Sequence, residues 1–224
     1  MRLGHAVSVG LLSLAVAVGL APPAPAAPAP RAAPSELSIQ ADPAYADTET
    51  RVRVRLTGAG GEPVAGAQVT LERSTSGAWT PIATLTTGED GWAAQPVTLS
   101  RVPADNVFRA TFAGDGTHDA ATRQARAELK RRTSRVVVGG PEKVVDGRSV
   151  AVTVRWTTSG GTPVAGKVRL YRSLGGGAWR LLRTLGTGDD GRARISTTPR
   201  QDSRWRAQAV RQAWVEGDRS PVHR

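Results

Sequence analysis

The chain has 224 residues, room for one large domain or two small ones, of which 39% are hydrophobic and 4% aromatic. It has no cysteine, so disulfide bridges, thiolate nucleophiles and thiolate metal ligands are excluded. The formal net charge is +11, carried mostly by arginine, and this directs attention to anionic partners.

Residues 1–26 read as a signal peptide. Arg2 gives a short positive start, residues 6–20 (AVSVGLLSLAVAVGL) form an uncharged apolar run of 15, and Ala24 and Ala26 make an A-x-A cleavage site. The run is too short for a comfortable membrane span, and no later segment could cross a membrane. No cysteine follows it, so a lipoprotein anchor is excluded. The chain is therefore expected to be exported and cleaved near Ala26. Residues 27–35 (APAPRAAPS) are rich in Pro and Ala and are expected to form a disordered leader.

The rest is a duplication. TRVRVRLTGAGGEPVAG (50–66) meets VAVTVRWTTSGGTPVAG (150–166), GAW recurs at 77–79 and 177–179, and TLTTGEDGWA (84–93) meets TLGTGDDGRA (184–193). FRATF (108–112) meets WRAQA (205–209). The copies are residues 36–129 and 130–224. Each reads as strands. Val52, Val54 and Leu56 alternate with Arg53 and Arg55, as Val152, Val154 and Trp156 do with Thr153 and Arg155. Turn formers separate the runs every 8–12 residues, which predicts about seven antiparallel strands per copy and a β-sandwich. Beyond the signal peptide nothing has a helical period. Gly60–Gly61 and Gly160–Gly161 are placed in a loop stiffened by Pro63 and Pro163, with Gly66 and Gly166 supplying unusual backbone angles. No Lys-Ser/Thr or helix follows these glycines, so a phosphate cradle is not indicated. KRRT (130–133) is a short linker and predicts an end-to-end arrangement with limited bending.

The order PVAGAQVTLER, GAW, TLTTGEDGWA and FRATFAGDGTHDAAT resembles bacterial immunoglobulin-like repeats of the Big type, found in exported and surface proteins of Gram-positive bacteria. The second copy is similar through PVAGKVRLYR, GAW and TGDDGRA. The resemblance implies an all-β chain of two tandem immunoglobulin-like antiparallel sandwiches, without the inter-sheet disulfide of antibody domains. It says nothing of a ligand. The second copy departs from the pattern near its end, where AGDGTHDAAT becomes RQAWVEGDRS, so its last strand is expected to be short or truncated.

No catalytic constellation, cofactor site or metal site is indicated. His118 and His223 cannot build a usual zinc site without further ligands, and neither HExxH nor GxSxG occurs. The carboxylate pairs Glu89–Asp90 and Asp189–Asp190 lie just before Gly91 and Gly191 and read as turns. Calcium at these turns, or at Asp115 and Asp119, is the minor alternative, since each offers few oxygens.

Charge separates the copies. Residues 35–129 hold 8 Arg against 12 Asp and Glu, a net of −4; residues 130–224 hold 17 Arg and 3 Lys against 7 acids, a net of +13. Candidate anion-binding residues are Arg155, Arg169, Arg172, Arg180, Arg183, Arg192, Arg194, Arg204 and Arg206, because guanidinium forks suit phosphate and carboxylate. For an exported chain the expected partner is an anionic wall polymer or envelope surface. Nucleic acid would bind such a surface through its phosphates, but export argues against it in vivo. Trp79 and Trp179 occupy matching positions and are expected to pack alike; Trp156 and Trp205 read as core. Trp92 and Trp214 are candidate exposed aromatics that could stack on sugar rings. The sequence thus points to a non-enzymatic, cell-wall-associated binding and spacer module, whose first copy serves as spacer or protein-partner site. The alternatives are the non-catalytic N-terminal part of a longer secreted wall-active enzyme and a carbohydrate-binding module.

Overall fold

The computed structural model describes residues 31–224. The predicted signal peptide lies outside the described residues, as do residues 27–30 of the leader. The rest of that leader is more ordered than expected. The Ala33 amide donates to Thr117 O at 2.7 Å, and the Asp119 amide donates to Ala33 O at 2.8 Å.

The first repeat contains β1 (Ser35–Ala41), β2 (Ala44–Tyr45), β3 (Glu49–Gly58), β4 (Gln68–Thr75), β5 (Ala78–Thr86), β6 (Trp92–Thr98), β7 (Val107–Phe112), β8 (Ala121–Arg126) and β9 (Leu129–Lys130). One sheet runs β1-β3-β6 and the facing sheet β5-β4-β7-β8. The second repeat contains β10 (Ser134–Gly139), β11 (Val150–Thr158), β12 (Gly166–Leu174), β13 (Arg180–Thr187), β14 (Arg192–Thr197) and β15 (Ser203–Ala209). Its sheets run β10-β11-β14 and β13-β12-β15. Pairing within these four sheets is antiparallel.

Period-two alternation drives this layout. Val52, Val54 and Leu56 point inward to meet Val69, Leu71, Phe108 and Phe112. Val152, Val154 and Trp156 do the same against Val168, Leu170 and Trp205. The second core holds its volume by exchange. Trp156 stands where Leu56 stands, while Val136 replaces Leu37 and Ala209 replaces Phe112 in the same registers. Compensated swaps of this kind are tolerated far better than net overpacking. The indole N–H of Trp156 donates to Ser134 Oγ at 2.9 Å, so its one polar atom is satisfied.

The repeated GGxPVAG phrase is a clamp. Thr87 Oγ1 donates to Val64 O and accepts from the Ala67 amide; Thr187 Oγ1 donates to Val164 O and accepts from the Gly166 amide. Gly91 and Gly191 have φ of 75° and 71°, and a Cβ there would collide with the carbonyls of Leu56 and Trp156. At Gly166 space, rather than backbone angle, demands glycine: a Cβ would sit 2.6 Å from the Trp156 ring.

The second repeat's seventh strand is irregular rather than missing. Bridges join Gln208 to Arg219 and Trp205 to His223, and Ser220 Oγ accepts from the Ala207 amide. Around the linker, β2 pairs in parallel with β9, Arg132 bridges to Val215, and Ala46 of the first repeat is buried in the second core.

Candidate anion-binding faces

The nine candidate arginines do not form one site. In a sandwich the two sheets share the core and turn their other faces apart. Arg155, Arg192 and Arg194 lie on the outer face of β10-β11-β14. Arg169, Arg180, Arg183, Arg204 and Arg206 belong to the opposite sheet. Arg172 is drawn over the core edge, 5.8 Å from the Trp205 ring centroid, as Arg73 is over Phe108 at 5.7 Å.

The β10-β11-β14 face is a groove of about 1040 Å³, lined by Arg135, Arg155, Arg192 and Arg194 with Thr153 and Val137 among them. Arg155 and Arg192 are directly opposite across β11 and β14, and Arg194 is opposite Thr153. Arg135 completes the group from β10, opposite Thr157. It is absent from the sequence-derived set, although the buried Val136 and Val138 beside it mark it as outward. No carboxylate lines the groove, and no described acid forms an ion pair with these four guanidinium groups.

The matching face of the first repeat is chemically different. Glu36 stands in place of Arg135, Trp92 in place of Arg192 and Ala94 in place of Arg194. Arg53 is paired with Asp42, and Arg55 stands 5.8 Å from the Trp92 ring centroid. Registers are conserved between the two faces while charge pairing is not.

On the other sheet Trp79 and Trp179 pack alike: Arg109 lies 4.4 Å from the first ring centroid and Arg206 lies 4.6 Å from the second. Arg109 also donates through Nε and Nη2 to both oxygens of Glu72, at 2.6 and 2.9 Å. That hydrogen bond holds the Glu72 carboxyl below its ordinary range. Arg206 has Tyr171 in the position of Glu72.

Of the two aromatics expected to be exposed, Trp92 is half-buried beneath Arg55. Trp214 overturns the expectation. It is 5% exposed within the second core, donates from Nε1 to Gln212 Oε1 at 3.0 Å, and carries Arg101 of the first repeat on its ring at 4.4 Å. It sits in an aperiodic segment, so no alternation signalled its inward direction. Three of the carboxylates considered for calcium, Asp90, Asp190 and Asp115, serve turns. Asp90 and Asp190 accept from the amides of Trp92 and Arg192. Asp115 accepts from both the amide and hydroxyl of Thr117 and from the His118 amide. Among the described residues no three His, Asp or Glu side chains converge as a metal site.

No family model matches the chain, and no curated protein matches it. Solved structures do. One is the tetra-tandem repeat from the extending region of a large adhesion protein, with a TM-score of 0.52 and 15% identity, covering 86% of this chain and 49% of that one. Another is the adhesin InvE of Yersinia pseudotuberculosis, with a TM-score of 0.46 and 12% identity, covering 83% and 57%. The chain spans about half the length of the first structure. The fold is immunoglobulin-like and all-β. Among the described residues no helix is long and apolar enough to cross a membrane.

Proposed function

We propose that this chain is an exported, non-enzymatic envelope-binding module, and that the β10-β11-β14 face of its second repeat adheres to an anionic polymer such as a phosphate-bearing wall polymer. The observation that carries the reading is the direct opposition of Arg155 and Arg192. Like charges facing each other across strands destabilise a sheet by a few tenths to about 1 kcal/mol. The first repeat avoids that cost with Trp92 at the same register. The second repeat retains it and adds Arg135 and Arg194 without any acid in the groove. A polyanion laid across the face would turn this repulsion into charge-assisted hydrogen bonds. The first repeat, net acidic and with Arg53 of the matching face ion-paired to Asp42, serves as spacer. The fold shared with a repeat from an adhesion protein's extending region supports that division of labour.

The test is binding of polyglycerol phosphate by the intact chain and by the triple variant Arg155→Gln, Arg192→Gln, Arg194→Gln. All three side chains are exposed, so the fold is expected to survive. The variant should bind at least tenfold more weakly and with a shallower salt dependence. Unchanged affinity would contradict the reading.

A further inference from the structure

The duplication preserves, within one molecule, an arginine–tryptophan stack with a carboxylate beside it and a second such stack without one. In the first repeat Arg109 stacks on Trp79 and grips the Glu72 carboxylate with two hydrogen bonds. In the second repeat the arginine and the tryptophan remain, as Arg206 and Trp179, but the carboxylate is gone. Tyr171 replaces Glu72, its ring centroid 5.7 Å from the Arg206 guanidinium, and its hydroxyl lies 3.4 Å from Gln208 Oε1. The Nε of Arg206 is enclosed and unbonded, whereas its Nη groups are not enclosed and have no hydrogen-bond partner among the described residues. Arg169, exposed on β12 two residues from Tyr171 and so on the same face, adds a positive charge where the first repeat has Thr70. The guanidinium is thus held between two rings, without its counter-charge, and with the added positive charge of Arg169 on the same face.

We propose that Arg206 is the anchor of a second binding site, on the sheet opposite the basic groove, that takes a carboxylate side chain from an acidic polypeptide. Glu72 is the precedent for a side-chain carboxylate paired with an arginine held on this tryptophan; at Arg206 the incoming carboxylate meets the Nη groups, because Nε is enclosed. The Trp179 face at this site is covered by Arg206, so it is not offered to a sugar ring for stacking. Arginine suits the role because its planar fork matches a carboxylate's two oxygens.

Restoring the lost acid should close the site from within. The background is the intact chain carrying Arg155→Gln, Arg192→Gln and Arg194→Gln, which silences the opposite face, so the two proposals fail separately. The probe is poly-L-glutamate, with polygalacturonate as the sugar-carboxylate arm. Tyr171→Glu should recreate the Arg109–Glu72 geometry, lower poly-L-glutamate affinity at least tenfold and leave thermal stability equal or higher. Tyr171→Phe keeps the ring and should bind as the background does. The proposal is overturned if Tyr171→Glu binds poly-L-glutamate as well as the background, or if the background does not bind it. An equal, Tyr171→Glu-sensitive affinity for polygalacturonate would overturn the assignment to a polypeptide.

Discussion

At Asp115 a single carboxylate organises an edge. Its oxygens accept from Thr117 and His118, and the loop so closed pairs with Ala33 at the entry to β1. The hydrogen bond from the Thr117 hydroxyl, then that from His118, holds its pKa well below the ordinary carboxylate range. A carboxyl depressed by folding stabilises the folded state fully above its unfolded pKa of about 4, and that contribution disappears as pH falls through the lower folded value. Asp115→Asn is therefore expected to lower the urea midpoint at pH 6, with the gap to the parent chain closing as pH drops below 4. Urea titrations of both proteins at pH 6, 4 and 2.5 check this; a gap independent of pH would show that the charge is not the source.

The segment between β15 and the irregular last strand shows what an element can do without regular structure. The Gln212 amide donates to Val215 O, and this tight turn sends Trp214 and Val215 into the second core while Arg101 covers the indole from the first repeat. Trp214→Ala should cost about 3–5 kcal/mol in chemical denaturation, the range for truncating a buried tryptophan. Arg101→Ala removes a cation–π contact and a solvent-exposed ion pair with Asp47, and should cost about 0.5–2 kcal/mol. Similar losses from both would contradict the burial of Trp214 in the core. The same segment marks the limit of sequence reading. Strands such as β3 and β11 were legible because Val and Arg alternate along them. Trp214 was not, since no local period fixes its direction. Arg155, Arg169, Arg192 and Arg194 were legible as outward residues, but only strand pairing shows that Arg155 faces Arg192 while Arg169 and Arg206 lie on the other sheet. Arg172 differs from the other candidates in that its guanidinium lies 5.8 Å from the Trp205 ring centroid, a contact no alternation signals. The Glu72-to-Tyr171 exchange was visible in the aligned copies and acquired meaning only once Arg109 and Arg206 were seen on matching tryptophans.

Across the whole molecule, one fold occurs twice with net charges of −4 and +13. The cores diverged by compensated exchange, Leu56 to Trp156 and Phe112 to Ala209, and kept their registers. The outer faces diverged without compensation: Glu36, Trp92 and Glu72 are matched by Arg135, Arg192 and Tyr171, and among the described residues Arg135, Arg155, Arg192, Arg194 and Arg206 form no ion pair. Such a surface attracts polyanions at low salt, and the attraction weakens as the screening length shrinks from about 10 Å at 0.1 M to about 3 Å at 1 M. The most direct measurement is sedimentation of the intact chain with isolated bacterial cell walls, either retaining or stripped of their anionic polymers, at 0.1 M and 1 M salt. The chain should pellet with walls that retain the polymers at 0.1 M salt, and remain in solution when either the polymers are removed or the salt is raised. Equal pelleting on stripped walls, or pelleting indifferent to salt, would contradict electrostatic adhesion by the second repeat.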